Sequence, residues 1–304
     1  MRIVIAISII AAAFAASFVI RGWLEEPHPE ASAPPVGDCT RVVCLSPGLT
    51  ETMFALGLGD LVVGVTRYCL YPPEATERPN IGGFLDPNYE AVVALRPGMA
   101  LATPYQKELA ADLQRLGVVV HAISQDSLAD IRDSYQHVAE LCGAHEQAAA
   151  LTETLDETVA RITREQRDKP RPRVLMTTGR DVGSGTLDEV YAVGHGTFLD
   201  ELLTRAGGEN IAPGGVLEYP ALSAEGILRL DPDIIIELVA DREYDAALEE
   251  RALSAWQTLP NLRAARERRI YALFGSYLTI PGPRVARTLE ALARCLSASA
   301  DGNP

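Results

Sequence analysis

Between residues 41 and 296 the apolar positions form short solid runs that alternate with longer, spaced stripes. Arg41-Val42-Val43-Cys44-Leu45, closed by Ser46-Pro47, has the pattern of a strand buried on both faces. Residues 50–58 space their apolar side chains helically, with Thr50 near the start and Gly57 and Gly59 at the stop. A second strand is predicted over 61–65, and Tyr71-Pro72-Pro73 then breaks the chain. After a loop over 82–87 comes a short helix over 88–95, where the Asn88 side chain can accept from the free amides of the first turn. A third strand (99–102), a helix (107–116) and a fourth strand (118–122) follow. Strand and helix alternate without Asn-Gly hairpin signals, which predicts a parallel sheet with helices on both faces.

Residues 127–167 read as two helices separated by Gly143, with Ser127 and Asp130 as a capping pair. The second carries one apolar stripe, Leu151, Leu155, Val159 and Ile162, and ends at Lys169-Pro170-Arg171-Pro172. A second alternating set follows. It predicts strands over 173–177, 234–236 and 270–274, and helices over 197–206, 223–230, 246–253 and 283–297. Gly207-Gly208 stops the first of these helices, and Pro283 opens the last, where a missing amide costs nothing. The expected fold class is α/β: two doubly wound α/β lobes, residues 39–143 and 170–298, joined by one long backbone helix over 144–169. The ligand cleft is expected between the lobes. A chain of 304 residues suits two lobes of ordinary size.

Composition narrows the function. A net charge of −14 excludes a phosphate-binding surface for nucleic acid, which needs clustered Lys and Arg. Arg2, the apolar run 3–20, Arg21 and Trp23 signal export. Residues 1–23 read either as a cleaved signal peptide, with Ala13-Phe14-Ala15 as the small-x-small site, or as a retained membrane anchor with Trp23 at the interface. Apolar Phe18-Val19-Ile20 beyond that site favours the anchor. Cys39 follows Val36-Gly37-Asp38, which is not a lipoprotein site. Residues 24–38 are a proline-rich spacer. Cys39, Cys44, Cys69, Cys142 and Cys295 make an odd count without a CxxC pair, so at least one thiol has no partner in the chain; the pairing stays open.

Five stretches carry a family resemblance: Arg41-Val-Val-Cys-Leu-Ser-Pro-Gly-Leu-Thr-Glu51, Val63-Gly-Val-Thr-Arg-Tyr-Cys-Leu-Tyr-Pro-Pro-Glu-Ala75, Gly82-Gly-Phe-Leu-Asp-Pro-Asn-Tyr-Glu-Ala-Val-Val-Ala-Leu-Arg-Pro97, Gly196-Thr-Phe-Leu-Asp-Glu-Leu-Leu-Thr-Arg-Ala-Gly-Gly-Glu-Asn210 and Leu222-Ser-Ala-Glu-Gly-Ile-Leu-Arg-Leu-Asp-Pro-Asp233. In order and spacing they resemble the helical-backbone solute-binding proteins that carry vitamin B12, haem or iron siderophores to ABC importers, and most of all the vitamin-B12-binding branch. The resemblance covers residues 41–296. It implies a monomeric, non-enzymatic carrier without a resident cofactor, working in the periplasm or on the outer face of the cytoplasmic membrane. Its partners would be the permease and ATPase subunits of an importer. Glu90 and Glu225, each in the first turn of a predicted helix, match the glutamates that dock onto the importer. A carboxylate there is also favoured by the helix dipole alone.

The ligand positions that the resemblance implies are Ser46, Pro47, Gly48, Arg67, Tyr68, Cys69, Phe84, Tyr105, Arg180 in the 179–185 loop, and Tyr277. Most sit in loops after strands, where parallel sheets bind ligands. A broad, flat chelate needs aromatic faces and a few polar groups. Cys69 and His195 are the two residues able to ligate a metal; the plainer alternatives are a disulfide for Cys69 and a solvent-exposed loop for His195. Vitamin-B12 binders often place tryptophan in the cleft, whereas here Trp23 precedes the fold and Trp256 falls in an outer segment. Haem and ferric siderophore therefore remain alternative cargoes. A membrane-tethered metal-chelate enzyme or sensor is the alternative of another class. The Gly179–Gly185 stretch lacks the Gly-Lys-Ser/Thr ending of a phosphate loop, and Gly-x-Ser-x-Gly is absent. His121, His137 and His145 form no paired metal motif.

Overall fold

The structure, a computed structural model, describes residues 37–187, 190–240 and 242–297. Residues 1–23 and most of the spacer, with Trp23, lie outside the described residues. From Gly37 onward the chain forms one compact unit.

In the N-terminal lobe β1 (Val42–Cys44), β2 (Val62–Val65), β3 (Met99–Ala102) and β4 (Val120–Ala122) make an all-parallel sheet in the order β2-β1-β3-β4. The strand order reverses at β1 and β3. Loops leaving their carboxyl ends diverge there and open a crevice.

Helix α1 (Pro47–Ala55) begins three residues before the position its apolar spacing predicts. Ser46 caps it by accepting from the Leu49 amide at 3.2 Å, and Pro47 takes the first helical position, which needs no donor. The predicted cap Asn88 does cap α2 (Tyr89–Ala94), accepting from the Ala91 amide at 3.0 Å. Then come α3 (Lys107–Arg115) and α4 (Leu128–Cys142). Helix α4 is capped by Ser127 and ended by Gly143 at φ +76°, a conformation glycine adopts freely. Helix α5 (His145–Gln166) is the long connection, about 33 Å at 1.5 Å per residue.

The C-terminal lobe departs from a purely parallel sheet. Strands β5 (Arg173–Thr178), β9 (Ile234–Val239) and β10 (Ile270–Phe274) are parallel, and the two-residue β7 (Glu209–Asn210) pairs parallel with β5. Strand β6 (Val190–Ala192), however, runs antiparallel to both β5 and β8 (Ala221–Leu222), giving the order β10-β9-β5-β6-β8. The added strands are two or three residues long, too short to register as apolar runs. Strand β9 continues past its predicted end through Glu237, whose buried charge interrupts the apolar run but is neutralised by Arg180. The remaining helices are α6 (Phe198–Arg205), α7 (Ala224–Leu230), α8 (Ala246–Trp256), α9 (Arg263–Arg266) and α10 (Val285–Ser297). Pro283 lies in the turn before α10 rather than inside it.

One continuous apolar cluster joins the two lobes. It runs from Val42 and Leu101 through Tyr135 of α4 and Leu155 and Ile162 of α5 to Leu199 of α6 and Leu289 of α10. Large hinge motion would tear this cluster, so the shared core restrains closure. A disulfide joins Cys39 to Cys142, tying the chain ahead of β1 to the end of α4. Cys44, Cys69 and Cys295 are free and buried. Among the described residues no helix is long and apolar enough to cross a membrane.

Candidate functional site

A cavity of about 380 Å3 lies between the lobes, within the size range of small-molecule sites. The N-terminal lobe supplies segments that follow parallel strands: Ser46 and the first turn of α1, Pro47 and Gly48, after β1, Thr103 and Tyr105 after β3, and Gln125 and Asp126 after β4, with Phe84 alongside. The C-terminal lobe supplies Gly196, Thr197 and Phe198 at the start of α6, Glu218 and Tyr219 ahead of β8, and Thr279, Ile280 and Pro281 after β10. Four aromatic rings, two carboxylates and several hydroxyls thus line the cavity, and among the described residues no Lys, Arg, His or Cys does.

The lobes meet at the floor. A Cβ at position 48 would collide with the Pro281 carbonyl and with Oε1 of Gln125, so only glycine permits the approach. Gln125 is 2% exposed; its Nε2 donates to Ser134 Oγ at 3.2 Å, which fixes the amide orientation. Its Oε1 then has no donor among the described residues. Across the cavity the Tyr105 hydroxyl donates to Glu218 Oε1 at 3.0 Å, bridging the lobes. Desolvation in the cleft, reinforced by the Glu218 carboxylate, pushes the Tyr105 phenol up to about 12, so it stays a donor.

A second link between the lobes lies at α1. Arg284, just before α10, grips Glu51 of α1 with Nε–Oε2 at 2.9 Å and an Nη–Oε1 contact at 2.6 Å. Its guanidinium also lies over the Tyr71 ring, 4.0 Å from the centroid. The Glu51 side chain is 2% exposed. Burial raises its carboxyl above the ordinary range, while Arg284 pulls the other way.

Of the residues singled out from sequence, Ser46, Pro47, Gly48, Phe84 and Tyr105 come together around the cavity, and the others stand elsewhere. Arg67 pairs with Asp86 at 2.5 Å, and Tyr68 is exposed beside it. Cys69 is neither in the cavity nor in a disulfide. Its buried thiol contacts the hydroxyls of Thr50 at 3.1 Å and Thr66 at 3.2 Å, and burial raises its pKa, so a metal-binding thiolate is disfavoured. The Arg180 side chain is 1% exposed and is consumed by a bidentate pair with Glu237 at 2.6 and 2.7 Å. Tyr277 is buried under Arg287, 4.2 Å from its ring centroid. His195 stands in a solvent-exposed turn, the plainer of its two expected roles, with Nε2 3.0 Å from the Ala212 carbonyl and Nδ1 3.6 Å from Asp200. Among the described residues no group of three or more His, Cys, Asp or Glu is placed to hold a metal ion.

Trp256 is not in an outer segment: it is fully buried in the C-terminal lobe, where its Nε1 donates to Glu237 at 3.0 Å. Glu90 and Glu225 are both exposed, in the first turns of α2 and α7. Arg229 pairs with Glu225 one turn along at 2.7 Å, whereas Glu90 has no side-chain partner among the described residues. Sequence reasoning missed Gln125, Asp126, Glu218 and Tyr219. The first two sit after a strand that was identified, so the loop rule was available for them; the last two precede a strand too short to see.

The periplasmic binding protein family profile matches residues 42–276. The chain belongs to that family. A cobalamin-binding protein of Halobacterium salinarum is 29% identical over 261 residues, covering 83% of this chain and 68% of that protein. The periplasmic vitamin B12 binding protein of Vibrio cholerae has the same fold, with a TM-score of 0.73 at 22% identity over 84% of this chain and 96% of that one. A periplasmic haem binding protein from Pseudomonas aeruginosa superposes with a TM-score of 0.73 at 27% identity, over 86% and 94% of the two chains. Family members are solute-binding proteins, and the cavity between the lobes fits that work.

Proposed function

We propose that the chain is the solute-binding protein of an ABC importer and that its cargo is a corrinoid. The observation that carries this reading is the chemistry of the cavity: aromatic faces and hydrogen-bonding groups, with no thiol, imidazole or cation among the described residues that line it. A corrinoid brings its metal already held and is rimmed by amides, so it asks for flat apolar contact and polar acceptors rather than a protein ligand to the metal. Haem would set its two propionates against Asp126 and Glu218 with no cation to receive them. A cavity of this size takes one edge or face of the corrinoid, and the remainder stands in the mouth. Tyr105 and Glu218 would exchange their mutual hydrogen bond for bonds to the ligand.

Delivery rests on Glu90 and Glu225, one exposed carboxylate per lobe, presented to a two-fold permease. The protein acts as a monomer on the outer side of the cytoplasmic membrane, held there by residues 3–20. The Cys39–Cys142 disulfide suits that oxidising side. No turnover of the ligand is expected.

Calorimetry of the full chain with cyanocobalamin, haem and a ferric siderophore, with ligand recovered and checked afterwards, tests the cargo. Tight binding of cyanocobalamin, recovered unchanged, is expected. Binding of haem or siderophore alone would replace the corrinoid, and an altered ligand would replace the carrier with an enzyme. Glu90→Arg and Glu225→Arg should each abolish uptake while leaving binding intact. Normal transport by Glu225→Arg would end the docking role.

A further inference from the structure

We propose that the cleft selects a positively charged corrinoid, one that keeps its amide rim but lacks the phosphodiester-linked nucleotide tail. This rests on the corrinoid reading and narrows it. Among the described residues the cavity lining holds one carboxylate from each lobe, Asp126 and Glu218, and no cationic side chain. The arginines around the cleft loops are already engaged. Arg284 is held by Glu51, Arg67 by Asp86 and Arg180 by Glu237, while Arg287 stacks on Tyr277.

Asp126 and Glu218 have no such partner. Glu218 Oε1 accepts from Tyr105 and Asp126 Oδ2 accepts from Ser124 Oγ at 3.0 Å, each a neutral donor. The second oxygen of each carboxylate has no donor among the described residues. Gln125 Oε1, although it too has no donor among the described residues, is sealed against Gly48 and adds no acceptor to the cavity. The polar part of the site is therefore dominated by acceptors and carries negative charge, in a chain whose net charge is −14. Amide N–H groups match the acceptors, and a cation matches the charge. A phosphodiester matches neither: its oxygens accept only, and its charge is repelled.

The corrin ring with trivalent cobalt and one cyanide is a monocation. The phosphate of the nucleotide tail cancels that charge. Two carboxylates in a half-open cleft should favour the uncancelled form by about tenfold in Kd.

The test is calorimetry of the full chain with aquacyanocobinamide and cyanocobalamin, which share the corrin and one cyanide. Aquacyanocobinamide should bind about tenfold tighter at ~0.1 M salt, and the two affinities should converge near 1 M salt, where the screening length falls from about 10 Å to about 3 Å. In the Asp126→Asn/Glu218→Gln double variant the preference should vanish at low salt. Equal or weaker binding of aquacyanocobinamide at low salt overturns the inference but leaves a corrinoid carrier. So does a preference that survives both high salt and the double substitution, which would come from the bulk of the tail. Failure of both corrinoids to bind overturns the corrinoid reading itself. The salt series uses the unmodified chain and so does not depend on the variant folding.

Discussion

Replacing Arg284 by Ala would strand Glu51. Both members of the pair are inside, with side chains 14% and 2% exposed, and they belong to different lobes. Removing the cation takes away two hydrogen bonds to Glu51, a third to Ser276 and the cation over the Tyr71 ring, and leaves a carboxylate where water cannot reach it. Breaking a buried pair in this way costs about 3–5 kcal/mol. With about 2–4 °C of Tm per kcal/mol for a chain of this size, the loss is on the order of 10 °C. The pH dependence identifies the cause. Burial raises the Glu51 carboxyl in the folded protein, and Arg284 is what limits the rise. Between the unfolded and the raised folded value the folded state binds more protons, so stability falls as pH rises through that window. Without Arg284 the window extends further toward neutrality. The variant's deficit should therefore be largest at neutral pH and shrink on acidification, as Glu51 becomes protonated and neutral. Urea unfolding between about pH 5 and pH 8 measures both effects. A loss under ~1 kcal/mol at neutral pH, or a deficit that does not change with pH, would refute the assignment. Glu51→Leu combined with Arg284→Met should recover most of the stability, because a well-packed apolar pair needs no compensation.

Three further outcomes are expected. Cys142→Ser opens a cross-link spanning 103 residues and should cost about 4–5 kcal/mol, seen as a lower Tm and as loss of the reductant sensitivity of melting; an unchanged Tm would contradict it. The free thiols of Cys44, Cys69 and Cys295 should resist an aromatic disulfide reagent until the chain unfolds, because burial raises all three, Cys295 to about 12; prompt reaction of any of them in the native protein would show it to be accessible. Trp256→Phe should lower stability by about 1–3 kcal/mol by removing a donor from the buried Glu237, while ligand affinity holds, since Trp256 lines no part of the cavity; a large loss of affinity would place it in the site after all.

Apolar periodicity was enough to place most strands and helices, because buried parallel strands write solid runs and long helices write stripes. It failed where those signals are weak. Strands β6, β7 and β8 are too short to be periodic, and they are the ones that turn the second sheet mixed. Helix α1 starts early because its cap and its proline, not its apolar spacing, fix its beginning. Of the candidate site, the family resemblance pointed to Ser46, Pro47, Gly48, Phe84 and Tyr105, and the rule that ligands gather after parallel strands agreed for most of them. Neither could separate Arg67, Arg180 and Tyr277 from them, since whether a polar side chain faces a cavity or an internal partner depends on contacts far along the chain. Arg180 meets Glu237 across 57 residues, and Glu51 meets Arg284 across 233.

Tension applied to the chain ahead of residue 39 would not reach β1. The Cys39–Cys142 bond carries the load past the first strand into the end of α4, and α4 is seated in the core that both lobes share. Peeling β1 from its two parallel neighbours, the low-force way to undo a sheet from its end, is closed off while the sulfurs stay joined. The fold would have to yield by shearing a helix along its packed face. A protein tethered through its N-terminal end would thus bear drag without loosening the strand that leads directly into one wall of its cavity.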